Sequence, residues 1–248
     1  MLKTALLALI AAFYASLAVG IEISTAYQDT SPKFMVNEQG EASGICVDIF
    51  TALSAQDSEL HFSRPNYFTP LRRIFYAIEH GTLMVYCGAG FNKERSRKML
   101  YSKVPLYSVS TLLAASKKNS RDYSTINDLR ADLNLGFNAI NDTSTYKLLK
   151  KLGLNIPGHY IKTVEQGLGL SLRDKHYVFA YHSLGLKYAL GNNKKWNRLK
   201  LLPISLRDYE HWMVFSKQIS PEVYSAVNAA LKEIRDKKVI EKILLKYQ

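Results

Sequence analysis

Short β-prone runs alternate along this chain with segments whose apolar residues recur at helical spacing. Ile21-Glu22-Ile23-Ser24-Thr25-Ala26-Tyr27 alternates as a half-buried strand does. Gln28 to Gly40 is polar, holds Pro32 and an Asn-Glu-Gln-Gly turn, and reads as a loop or hairpin. Gly44 leads into Ile45-Cys46-Val47-Asp48-Ile49-Phe50-Thr51-Ala52-Leu53, an amphipathic helix. Leu60-His61-Phe62 is a short strand. Pro70 to His80 places Leu71, Ile74, Phe75 and Ile78 at helical spacing, and Gly81 stops that helix. Leu83-Met84-Val85-Tyr86-Cys87 is then a buried strand. Strands separated by helices in this order predict a parallel sheet covered by helices.

A second round follows. Thr111 to Ala115 reads as a strand, Ile126 to Leu129 as a short helical turn, and Leu133 to Phe137 as a strand. Ser144 to Leu152 is predicted as a helix, Tyr177 to Tyr181 as a buried strand, and His182 to Leu190 as another helix. The tail starts afresh with a strand at His211 to Phe215. Ser220-Pro221-Glu222 is a strong helix start: a hydroxyl cap, Pro in the first turn and an acid at the positive end of the dipole. Val223, Val227, Ala230, Leu231 and Ile234 share one face of it. A last helix carries Val239, Ile240, Ile243 and Leu244.

The first residues have a different pattern. Met1-Leu2-Lys3 is a basic start, Thr4 to Leu17 is almost wholly apolar, and Ser16-Leu17-Ala18 and Ala18-Val19-Gly20 offer small residues to a signal peptidase. The run is shorter than the roughly 20 residues a membrane-spanning helix needs, so residues 1–20 are expected to be a cleaved signal peptide. An uncleaved anchor is the alternative. No Cys follows the small residues, so no lipid anchor is expected. The mature protein is expected to be soluble and periplasmic.

Hydrophobic residues make up 47% of the 248, enough to bury a proper core. The formal net charge of +12, or +11 without the single Lys of the leader, invites a nucleic-acid reading. Export and the scatter of Lys and Arg argue against it. The densest basic stretches, Lys93 to Lys98 and Lys194 to Arg198, read as solvated faces or as an attraction for anionic solutes. The six His show no metal-ligand spacing, and no cofactor motif is present. Cys46 and Cys87 can pair in an oxidising compartment or stand as two buried thiols, and spacing leaves this open.

Three stretches together resemble the family 3 extracellular solute-binding proteins, the periplasmic receptors of polar amino-acid ABC importers. Gly44-Ile45-Cys46-Val47-Asp48-Ile49 looks like the family's opening of the first helix. Lys93-Glu94-Arg95 followed by Tyr101-Ser102-Lys103-Val104-Pro105-Leu106-Tyr107 is similar to its Pro-Glu-Arg and aromatic-Ser-x-x-Pro-x-Tyr stretch. Leu135-Gly136-Phe137 followed by Asp142-Thr143-Ser144-Thr145-Tyr146 is similar to its second-lobe strand, polar turn and helix start. The resemblance covers the mature chain and implies an α/β, two-lobed periplasmic binding protein fold of type II. Each lobe would be a mainly parallel sheet flanked by helices, joined by two hinge crossovers. Lobe 1 is placed at 21–113 plus 209–248 and lobe 2 at 114–208. Ligand lies between the lobes, which close by hinge motion.

The same resemblance implies a binding role for Arg95, whose guanidinium fork makes paired charge-assisted bonds to a carboxylate. Thr143, Ser144 and Thr145 open a helix and can cradle an anion, or simply cap it. Asp142 can cap the same helix or meet a cationic group. Tyr27 and Phe68 lie where the family often sets aromatics against the ligand, although large aromatics are also plain core. Two positions depart from the pattern. His182 stands where amino-acid binders place the Asp that holds the ligand's ammonium, and Gly88-Ala89-Gly90-Phe91-Asn92 lacks the usual Ser or Thr. His carries no negative charge, so the departures point away from a standard α-amino acid and toward a carboxylate without a conventional amine. A neutral structural role for His182 stays open.

The expected function is capture of a small polar, carboxylate-bearing solute by a monomer and delivery to an ABC permease, with no cofactor, metal or nucleic acid. A receptor feeding a membrane sensor is the alternative. An orphan that has lost its site, and a dehydratase-like enzyme using Glu94, Asp142 or Glu210 as general acid, are the further readings.

Overall fold

The computed structural model describes residues 21–141 and 143–247. The expected signal peptide and Asp142 lie outside the described residues. The chain opens with β1 (Ile21–Ile23), the hairpin of β2 (Met35–Val36) and β3 (Ala42–Ser43), α1 (Ile45–Gln56), β4 (Leu60–Phe62) and α2 (Leu71–Glu79). Next come β5 (Val85–Gly90), a 3₁₀ turn at Arg95–Arg97, β6 (Leu100–Tyr101), the long β7 (Tyr107–Ser116), α3 (Ile126–Ala131), β8 (Gly136–Asn138) and α4 (Ser144–Lys151). The chain ends with α5 (Val164–Arg173), β9 (Tyr177–His182), α6 (Ser183–Asn192), a second 3₁₀ turn at Lys194–Trp196, β10 (Leu199–Leu201), β11 (Arg207–Phe215), α7 (Pro221–Asp236) and α8 (Val239–Leu245). Among the described residues no helix is long and apolar enough to cross a membrane.

β1 pairs in parallel with β4, and Thr25 bridges Val85 in parallel, bringing β5 alongside. β8 and β9 form the other parallel pair. The parallel share is smaller than the order of elements suggests, because β7 and β11 add antiparallel ladders to every neighbour. One edge of β7 takes β9; the other takes β11 along Tyr107–Thr111 and β10 along Ala114–Ser116. β11 likewise passes from β7 to lie between β5 and β6. The two long strands therefore meet only where they cross from one half of the molecule to the other. One core gathers Ile23, Ile49, Leu53, Val85 and the tail residues Phe215, Val227 and Leu231. Two further cores gather Leu113, Phe137 and Val178, and Ala114, Leu168 and Phe179.

Local chemistry explains the element ends. The Ser220 hydroxyl accepts the Val223 N–H, with Pro221 in the first turn, and α7 buries the apolar face expected of it. At α1 the starting Gly44 has φ of 116°, and a Cβ there would lie 2.7 Å from the carbonyl oxygens of both Pro32 and Lys33. Those oxygens accept the free first-turn N–H groups of Ile45 and Cys46 at 2.9 and 3.0 Å. Cys46 and Cys87 are bonded, with Cα atoms 5.8 Å apart, which resolves the pairing left open by spacing.

Three expectations need correction. β7 begins at Tyr107 rather than Thr111, and β11 at Arg207 rather than His211, because polar residues outnumber apolar ones in their first halves. α5 was not expected. Its Gly167 and Gly169 dilute the apolar period, yet a Cβ on Gly167 would sit 2.2 Å from the Phe179 ring, so close packing requires the glycine. β8 begins at Gly136, and Leu133 is exposed in the preceding turn.

Candidate functional site

The loop between β1 and β2 carries Lys33 inward. Its backbone carbonyl is fixed by the start of α1, and its side chain runs over β5 to a site only 7% exposed. There Nζ donates to Gly88 O at 3.2 Å and to Gln28 Oε1 at 3.4 Å, and lies 5.4 Å from the centre of the Tyr86 ring. The Tyr86 hydroxyl donates to the same Gln28 oxygen at 2.7 Å. Gly88 makes this path possible. Its φ is 84°, and a Cβ would fall 2.4 Å from Lys33 Cδ. Among the described residues no carboxylate forms an ion pair with Lys33. Burial without a counter-charge pushes its pKa down to about 7.

Beside it stand two imidazoles. His182, 7% exposed, ends β9 and caps α6: its Nδ1 accepts the Gly185 N–H at 3.0 Å. The neutral ring therefore carries its proton on Nε2, and that atom is buried without a partner. Burial, and then the Lys33 charge, hold His182 down to about 3. His211 sits 5.6 Å from it, ring centre to ring centre, and Nδ1 is 3.2 Å from the Tyr107 hydroxyl. Burial pushes the His211 pKa well down, and the charges of Lys33, His182 and Arg207 push it further.

Arg207, Tyr209 and His211 alternate along β11 and so share one face, in register with Thr111, Val109 and Tyr107 of β7. Arg207 lies over the Tyr209 ring at 4.3 Å and reaches Ser144 Oγ at 3.4 Å. A Cβ added to Gly90 would stand 3.4 Å from the Tyr209 ring, an ordinary van der Waals contact.

Arg95 is held from two sides. Nη1 donates to Gly90 O at 2.9 Å, the guanidinium stacks 3.8 Å over Phe75, and its backbone N–H donates to Asn92 Oδ1. Four of its five side-chain N–H donors make no bond to the described protein groups. Thr143 caps α4 by accepting the Tyr146 N–H, and its own hydroxyl donates to Ile140 O at 2.6 Å. Thr145 is buried, and Ser144 is the member of that trio that meets Arg207.

Tyr27 and Phe68 border this group, since Phe34 lies between Tyr27 and Tyr86, with ring centres 5.0 and 5.8 Å away. Tyr27 is 2% exposed, stacks on Phe34 and bridges Phe68 through the backbone. With Val36, Tyr67 and others they line a hollow of about 30 Å³, room for a water rather than a solute. A larger hollow of about 240 Å³ lies at the far end of β7 among Ser116, Lys117, Lys118, Leu172 and Arg198, and none of the expected residues lines it. Glu94 and Glu210 are exposed, so neither is a buried general acid. Among the described residues no cluster of His, Cys, Asp or Glu could hold a metal.

Residues 23–248 match the bacterial extracellular solute-binding proteins, family 3. The chain belongs to that family. Solved structures with the same fold are a GluR0 ligand-binding core in complex with L-glutamate (14% identity, 94% of this chain and 99% of that one, TM-score 0.77) and a binding component of an ABC transporter from Wolinella succinogenes complexed with lysine (16%, 92% and 94%, TM-score 0.77). A histidine kinase sensor domain with similarity to periplasmic binding proteins is a third (16%, 92% and 95%, TM-score 0.76). They establish the two-lobed type II fold. No curated protein matches the chain.

In this family 3 protein the sequence reading missed Lys33, Arg207, Tyr209 and His211. The last three carried a signal, a charged or aromatic polar residue at every second position. Lys33 carried none, since its partner Gly88 lies 55 positions further along the chain.

Proposed function

We propose that this family 3 protein is a monomeric periplasmic receptor. It captures a small polar, carboxylate-bearing solute between its lobes and delivers it to an ABC importer. Residues 21–113 with 209–248 act as one closing unit and 114–208 as the other, and β7 and β11 are the hinge. The observation that carries this reading is Arg95: its guanidinium is oriented by Gly90 and Phe75 yet has donors to spare, as a group awaiting a carboxylate does. Ser144 and Arg207 meet the solute from the other side as the lobes close.

A thermal-shift screen of the exported protein against amino acids, small carboxylic acids and short peptides tests this. A solute at about 100 times its Kd stabilises the fold by about 2.7 kcal/mol. Arg95→Ala should abolish that shift while leaving the melting point of the free protein within a few degrees. Unchanged affinity in Arg95→Ala, or loss of the fold, rejects the assignment. Deletion of the gene should remove uptake of the solute; intact uptake rejects delivery to an importer.

A further inference from the structure

We propose that Lys33 sets the class of solute, so that this cleft takes a small amine-free di-acid in preference to an α-amino acid. The inference rests on the carboxylate-binding reading of Arg95 and adds what meets the other end of the solute.

Two neutral oxygens, Gly88 O and Gln28 Oε1, with the face of Tyr86 beneath them, are the surroundings a protein offers to an ammonium group. Here the protein's own ammonium fills them. The stem of Lys33 fits because residue 88 has no side chain. A solute amine would find these acceptors engaged and a like charge beside them.

The neighbouring groups are donors as well. His182 stands where the resemblance implies an Asp for the solute's ammonium. Its Nδ1 is committed to Gly185, so it can present only Nε2–H, buried and without an acceptor. An unpaired buried donor is costly, and the cost is relieved when an acceptor arrives. Lys33 and His182 therefore match a second carboxylate, and Arg95 the first. Asp29, whose charge reaches Tyr181, is exposed and makes no ion pair with Lys33. Charged or N–H donors at Lys33, His182 and Arg95, with the neutral Thr111 hydroxyl as the buried group left to accept, disfavour an amine and favour a dianion.

Two matched pairs test this by calorimetry at pH 7: succinate against L-aspartate, and 2-oxoglutarate against L-glutamate. Within each pair the amine is the feature that separates rejection from acceptance. The wild-type protein should bind at least one amine-free acid tenfold or more tighter than its amino partner. Lys33→Met should weaken that acid at least tenfold and shrink the ratio. His182→Asp should raise the amino acid relative to the di-acid by at least tenfold, which is a gain and so cannot come from misfolding. Tighter binding of the amino acids by the wild type, or ratios unmoved by both variants, would overturn the inference. So would failure of all four acids to bind at millimolar concentration. If a mono-acid or an amino acid then binds in a manner that Arg95→Ala abolishes, the carboxylate reading survives and the di-acid inference alone is lost. If binding ignores Arg95→Ala, both fall.

Discussion

On the β5 side of the proposed cleft the polar groups are buried and tied down from several directions. Lys33 is fixed through its backbone by α1 and through its ammonium by Gly88 and Gln28. Cys46, whose N–H holds the Lys33 carbonyl, is bonded to Cys87, the residue before Gly88. On the α4 side the corresponding groups are looser. Ser144 meets Arg207 through one exposed contact of 3.4 Å, and Thr143 is occupied with capping. A wall that is already in place discriminates, because its groups cannot move to suit a poor partner. A wall held by few bonds adapts and follows the solute inward. On the proposed reading, the first wall recognises the solute and the second closes on it.

That contrast can be broken most severely at the disulfide. Cys46→Ser with Cys87→Ser opens a loop of 41 residues and should cost about 4 kcal/mol by loop entropy, read as a lower urea midpoint. A loss below about 1 kcal/mol would show that the β5 wall does not depend on the bond. Gly88→Ser comes next. It forces a side chain onto a φ of 84° and against Lys33, at a cost of about 1–3 kcal/mol, and should abolish solute binding through displacement of the ammonium.

Lys33→Met should act in the opposite direction on the free protein. Removing a buried cation that has no counter-ion among the described residues should stabilise the unliganded fold by about 2 kcal/mol at pH 7. The pH dependence fixes the sign. Lys33 titrates near 7 when folded and near 10.5 when unfolded, so between those values the unfolded chain holds more protons. The charge of Lys33 therefore destabilises the fold fully below pH 7, and stability should rise from pH 7 to 10 in the wild type. His182, His211, Tyr86 and Tyr107 face Lys33 and remain in Lys33→Met. The variant's curve should be flatter over that window, and an unchanged slope would deny Lys33 its buried charge. The smallest effect belongs to the other wall. Thr143→Ala should cost about 1 kcal/mol through loss of the α4 cap, and Ser144→Ala within about 0.5 kcal/mol. Both are measurable by thermal melts, and a larger loss from Ser144→Ala would mean the α4 wall is not the looser one.

Much of this fold was legible in the sequence because its helices have long, regular apolar faces and explicit starts. Ser220-Pro221-Glu222 and the residues behind it were read almost position by position. The failures cluster where the two crossover strands meet. Arg207-x-Tyr209-x-His211 and Tyr107-x-Val109-x-Thr111 alternate, but most of the members on their shared face are polar, so a search for apolar strands starts them four residues late. The departures at His182 and Gly88 were visible as gaps in a family pattern. What fills them was not, since Lys33 reaches Gly88 only after the chain has folded back on itself. Tyr27 and Phe68 keep both of their readings: Tyr27 is buried against Phe34, while Phe68 is only partly buried.

The bond between Cys46 and Cys87 joins the helix that positions Lys33 to the strand that receives it. If Lys33 selects the solute as proposed, that selection depends on a bond formed only after the chain is made. A chain in which both thiols are still reduced holds the same residues without that brace. Oxidation of the two thiols steadies the fold and, on the reading proposed for Lys33, also sets when the protein begins to choose.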